Sequence, residues 1–142
     1  MIYQTDPEFP SHVNHWGCYF LSLNERLSTL FGLPFTHEVI LERLEYAQKR
    51  GIVDAEMTIM APQMFCEYVE PGRVHFKGKM PANYPTGSDE FEIVVYHRDG
   101  ASFNHFCSGN GKGIVIYDPW SASGSESVRS GSLIGKRIYK IL

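Results

Sequence analysis

Near residue 89 the spacing of apolar residues in this 142-residue chain changes from three-and-four to two. A chain with a 3.6-residue period in one half and a period of two in the other folds as helices followed by a half-buried sheet, an α+β arrangement. Upstream, Phe20, Leu23, Leu27 and Leu30 recur at helical spacing with Ser22, Asn24, Glu25, Arg26 and Ser28 between them. They predict an amphipathic helix that starts at or next to Cys18 and ends near Phe31–Gly32. Thr36, with Glu38 in the first turn, is a fitting N-cap for a second helix that runs to Gly51. A third, shorter helix is expected from Ala61 to Val69, with Pro62 in its first turn.

Residues 71–88 carry prolines and glycines around RVHFKGKM, which predicts a loop with at most one short strand. Strands are expected at FEIVVYH (91–97), SFNHFCS (102–108), GIVIYD (113–118) and IGKRIYKIL (134–142). Asp99-Gly100, Asn110-Gly111 and the serine-rich loop SASGSESVRSGS separate them. Helices first and an antiparallel sheet second make a single domain over residues 1–142.

Composition removes several function classes. With 43% hydrophobic residues and a formal net charge of −3, the chain is globular and lacks the basic surplus of a nucleic-acid binder. No window approaches the roughly 18 apolar residues of a membrane span, and the N-terminus lacks the basic-then-apolar order of a signal peptide. The expectation is a cytoplasmic protein with no membrane partner. Oligomeric state is left open. The three cysteines, Cys18, Cys66 and Cys107, form no C-x-x-C pair, so reduced thiols are expected, with Cys66 and Cys107 in the core. His12, His15 and Cys18 do make H-x-x-H-x-x-C. That spacing is not a familiar ligand pattern and its histidines are expected in a loop, so no metal is assigned.

Cys18 falls where a helix begins. Free backbone N–H groups and the positive end of the helix dipole favour anions there, a thiolate among them. A nucleophilic thiolate needs an imidazole within reach, and the imidazole needs a third group to fix its tautomer. A two-residue turn at Asn110-Gly111 would pair Cys107 with Ile114, His105 with Ile116 and Phe103 with Asp118. His105 and Asp118 then become diagonal neighbours on one face, which their side chains can bridge. A loop one residue longer would send Asp118 to the other face.

Trp-Gly-Cys opening a helix, His105 inside an alternating aromatic run and Asp118-Pro119-Trp120 closing the next strand together resemble the papain-like cysteine peptidases that process bacteriocin leaders, the double-glycine peptidases. The resemblance spans most of the chain. It implies a papain-like fold and the family order of cysteine, histidine and aspartate-proline at Cys18, His105 and Asp118-Pro119. It also implies an oxyanion-hole glutamine, for which Gln4 is the nearest equivalent and Asn14 the other candidate amide. Two departures stand out: Tyr19 replaces the small residue that often follows the cysteine, and Gln4 lies fourteen positions before Cys18.

The expected activity is hydrolysis of a peptide or other amide through a thioester, without a cofactor. The substrate is a peptide or protein held between Trp16, Trp120 and the 71–88 loop. The competing expectation is a binding or inhibitory protein of phage or prophage origin that keeps the fold without turnover.

Overall fold

The structure, a computed structural model, describes residues Met1–Leu142. Five helices and five strands follow one another as α1 (Ser11–Trp16), α2 (Cys18–Phe31), α3 (His37–Lys49), α4 (Pro62–Val69), β1 (Val74–Pro81), β2 (Glu90–His97), β3 (His105–Gly109), β4 (Val115–Tyr117), α5 (Glu126–Ser130) and β5 (Ser132–Ile141). The strands form one antiparallel sheet in the order β1-β5-β2-β3-β4. The fold class is therefore α+β, with helices first and sheet second. No helix is long and apolar enough to cross a membrane.

Several expected elements change, and the strands expected at 102–108 and 113–118 cover only His105–Gly109 and Val115–Tyr117. The segment holding His12 and His15 is the short helix α1 rather than a loop. Residues 71–88 contain an eight-residue strand, β1. Exposure alternates along it, but the glycines and prolines in and around it, among them Gly78 at φ 122° beside a bulge, read as loop in the sequence. The serine-rich loop carries α5, whose N-terminus Ser125 caps by accepting a hydrogen bond from the Val128 N–H.

α2 also departs from the amphipathic reading. It begins at Cys18 and ends at Phe31 as expected, but Ser22, Asn24, Glu25 and Ser28 are buried with Phe20, Leu21, Leu23 and Leu27. Each polar group has a local partner. Asn24 Nδ2 donates to the Phe20 carbonyl at 2.8 Å and its Oδ1 accepts from Arg43 Nη1 at 2.9 Å. Glu25 accepts from Arg26 and Thr29. A helix surrounded by protein on all sides can keep polar residues only when they are satisfied in this way.

α2 packs on β2 and β3, α4 on β1, and α5 on β2 and β5. Phe20, Leu23, Leu27, Ile40, Phe65, Phe91, Ile93 and Tyr139 belong to one continuous core. Two reciprocal bonds fix α2 against β3: Ser22 Oγ donates to the Phe106 carbonyl and Ser108 Oγ donates to the Ser22 carbonyl, both at 3.2 Å. Ser22 lies one turn beyond Cys18 on the same helix face. The same docking that seats Ser22 therefore sets Cys18 over the start of β3.

Candidate active site

The break between α1 and α2 presents Cys18. Gly17 donates its N–H to the Val13 carbonyl at 2.9 Å, and a Cβ added there would stand 2.6 Å from that oxygen and 2.8 Å from Val13 Cγ1. Only glycine fits, and Cys18 is thereby the first residue of α2. Its thiol is nearly covered yet lines an open cleft of about 490 Å³.

His105 is the first residue of β3 and faces the same cleft. Its Nε2 meets Asp118 Oδ1 at 2.7 Å. With Nε2 engaged by the carboxylate, Nδ1 is the ring nitrogen left for a thiol. Burial pushes the imidazole's pKa down, but the Asp118 carboxylate and the thiols of Cys107 and Cys18 outweigh it and raise the value well above the ordinary 6.5. For Asp118, burial acts upward; His105 and the Trp120 and Ser125 N–H groups win, and the carboxyl is held at about 2. Trp120 N–H reaches Oδ1 at 3.0 Å and Ser125 N–H reaches Oδ2 at 2.8 Å. Both shifts favour the charged forms, so Asp118 stabilises an imidazolium whenever His105 takes up a proton.

The expected face-sharing is present, but not through the expected turn. Gly109 pairs with Val115 rather than Lys112, because the loop spans Asn110 to Ile114, closed by Asn110 N–H on the Ile114 carbonyl and by Asn110 Oδ1 accepting from Lys112 and Ile114 N–H. That shift of three would turn Asp118 to the wrong face. A bulge between Ser108 and Gly109 adds one more, so that Ser108 faces Tyr117 rather than Gly113. A shift of four preserves the faces, and Asp118 returns to His105.

Gln4 reaches the site because the N-terminal segment is tied to the chain beyond β4. Gln4 N–H donates to the Pro119 carbonyl at 2.6 Å, Thr5 Oγ1 to the Trp120 carbonyl at 3.1 Å, and the Tyr117 hydroxyl to the Ile2 carbonyl at 2.5 Å. The buried Gln4 side chain lines the cleft and gives one Nε2 hydrogen to the Asn14 carbonyl at 3.1 Å, which leaves its second hydrogen free. Asn14 is not an alternative: its Nδ2 is spent on the Gln4 and Asp6 carbonyls.

Trp16 and Trp120 both line the cleft as expected. Residues 71–88 do not line this cleft, but Phe76 and Lys79 line the cavity that adjoins it. The remaining walls come from Glu56, Met57 and Thr58, before α4, and from Ser102, Phe103 and Asn104, before β3. Met57 holds a left-handed backbone, φ 61°, inside a turn whose Glu56 and Thr58 N–H groups donate to Asp54 Oδ1. A bulky residue at positive φ is strained, and the turn that enforces it shapes the wall beside Cys18.

Cys107 is the participant the sequence reading placed only in the core. It is fully buried, but its Sγ, a His105 nitrogen and an Asp118 oxygen all lie within 4.8 Å of one another. Two residues apart on one strand, Cys107 and His105 share a face, and that spacing was the available signal. These atoms form a donor set suited to a soft divalent cation, which would compete with the hydrogen bond between His105 and Asp118. Burial raises the Cys107 thiol to about 11, against the lowering effect of His105. Cys66, in α4, is likewise pushed up by burial, to about 12. His12 and His15 do not converge on Cys18; His12 Nε2 contacts Gln48 and His15 Nδ1 the Ser11 carbonyl, each at 2.7 Å.

A family model described as "Protein of unknown function, DUF261" matches residues 1–141. No curated protein and no solved structure matches the chain.

Proposed function

The chain belongs to the DUF261 family, and from its site we propose that it is a cysteine hydrolase of papain-like fold acting on peptide or other amide bonds. The observation that carries this reading is the order thiol, imidazole, carboxylate, with Cys18 and His105 lining an open cleft, the Asp118 carboxylate on Nε2 and Nδ1 left for the thiol. Cys18 gives its proton to His105 and its Sγ attacks the carbonyl carbon; the adduct collapses to the thioester as the C–N bond breaks, and the same proton passes from His105 to the leaving amine. Water then adds to the thioester with His105 as base, which releases the carboxylic acid and restores the thiol. The Cys18 N–H and the free Gln4 Nε2 hydrogen hold the developing oxyanion. Asp118 keeps the ring oriented and stabilises its charge.

Iodoacetamide labelling of Cys18, followed by mass spectrometry, tests the pair, and digestion of a denatured casein pool tests turnover. Rapid labelling that is lost in His105→Ala, with new peptide termini absent in Cys18→Ala, is the expected result. A Cys18 that reacts no faster than a free cysteine, with or without His105, overturns the hydrolase reading in favour of a protein that only binds.

A further inference from the structure

The catalytic cleft continues into a second cavity of about 420 Å³, for Tyr19, Thr58 and Phe106 line both. The shared stretch is apolar and rigid: the Tyr19 and Phe106 rings stack at 4.6 Å, and the Tyr19 and Tyr139 hydroxyls meet at 2.7 Å. Met60, Phe76, Lys79 and Arg137 line the second cavity but not the catalytic cleft.

Those two cations are directly opposite each other on β1 and β5. Like charges in that position repel. The neighbouring cations of the same two strands are each neutralised, Lys77 by Glu90, Lys136 by Glu92 and Lys140 by Asp89. Lys79 and Arg137 have no carboxylate within ion-pair distance. Arg137 is half-buried, with its guanidinium over the Phe106 ring at 5.4 Å, which holds its charge at the edge of the groove that leads to His105.

Resting on the hydrolase reading, we propose that Lys79 and Arg137 form a subsite for a carboxylate of the substrate. The substrate is then an extended chain whose reacting carbonyl lies at Cys18, whose apolar part lies along the edge of the stacked Tyr19 and Phe106 rings beside Thr58, and whose carboxylate lies against the cation pair. An anion there removes the repulsion between the two cations and accepts charge-assisted hydrogen bonds from both. Glu56, on the wall of the catalytic cleft itself, disfavours a second carboxylate near the reacting bond.

The test uses iodoacetyl peptides that differ only in Glu, Gln or Lys at one position, with that position moved stepwise away from the iodoacetyl group. A parallel pair ends in a free carboxylate or an amide, to separate a side-chain anion from a terminal one. At one spacing the carboxylate member should alkylate Cys18 about tenfold faster than its neutral twin. The advantage should shrink as salt rises. The Glu-to-Gln rate ratio should fall to about one in Lys79→Gln/Arg137→Gln and persist in Arg137→Lys. Equal rates for Glu, Gln and Lys at every spacing, with iodoacetamide labelling still dependent on His105, overturn the subsite and leave the hydrolase reading standing. Loss of His105 dependence removes both.

Discussion

Asp118→Asn isolates what the carboxylate does for the imidazole while nearly conserving its shape. In the native site Oδ1 accepts from His105 and from Trp120 N–H, and Oδ2 accepts from Ser125 N–H. An amide has one oxygen. If it stays with His105, the new NH2 group faces the Ser125 N–H, and if it turns round, the NH2 group faces His105. Either way one donor is left opposed to another, at a cost of about 1–3 kcal/mol. The depression of Asp118 from 3.8 to about 2 corresponds to about 2 kcal/mol favouring the charged pair. If that support for the imidazolium is what keeps the thiol reactive, its loss slows Cys18 by about 30-fold. The assay is the second-order rate of Cys18 alkylation by iodoacetamide at pH 6, read by mass spectrometry, alongside urea unfolding of the same samples. The expected outcome is a folded protein, less stable by about 2 kcal/mol, that alkylates about 30-fold more slowly. A folded Asp118→Asn that reacts at the wild-type rate would refute the reasoning, because Asp118 would then play no part in charging His105.

Gly17→Ala should lower the unfolding free energy by at least about 2 kcal/mol, or shift α1 against α2, because the new Cβ overlaps the Val13 carbonyl; an unchanged urea midpoint would contradict the packing described. Cys107→Ala should retain iodoacetamide labelling at Cys18 with its His105 dependence, since the Cys107 thiol is buried and raised; loss of all labelling would mean that Cys107 is the reactive thiol. The stabilisation from Asp118 should be complete above its ordinary 3.8 and vanish as pH falls through about 2. That from His105 should be complete below its ordinary 6.5 and decline as pH rises toward its raised folded value. The stability gap between wild type and Asp118→Asn in urea melts should therefore be widest between about pH 4 and 6.5, and a gap that widens above pH 8 would reverse the sign. Glu92→Gln should cost about 3–5 kcal/mol by leaving the buried Lys136 ammonium without its partner at 2.8 Å, which differential scanning calorimetry would register as a large drop in Tm.

Local rules were enough for the elements that depend on neighbours in the chain. The start of α2 at Cys18, the Thr36 cap of α3, Pro62 in the first turn of α4 and the strands β2 and β5 follow from period, capping and turn chemistry. Cys18 stood out by its place at a helix start, whereas His105 and Asp118 carry no local signal of their own and were singled out by the strand register and the family resemblance that pair them. What tertiary structure decided is how these ends meet. The length of the loop from Asn110 to Ile114 and the compensating bulge at Ser108 and Gly109 fixed the face of Asp118, and a single-residue change in either would have reversed it. The polar residues of α2 gave an amphipathic pattern, yet Ser22, Asn24, Glu25 and Ser28 are buried, satisfied partly by residues of the helix itself and partly by Arg43 and Phe106. β1 was obscured by the glycines and prolines in and around it, and pairing with β5, the last strand, makes it a strand. Gln4 came to the cleft through bonds to Ile2, Gln4 and Thr5 from residues more than a hundred positions away. Contacts over that separation depend on where the whole chain has already folded, and no local pattern encodes them.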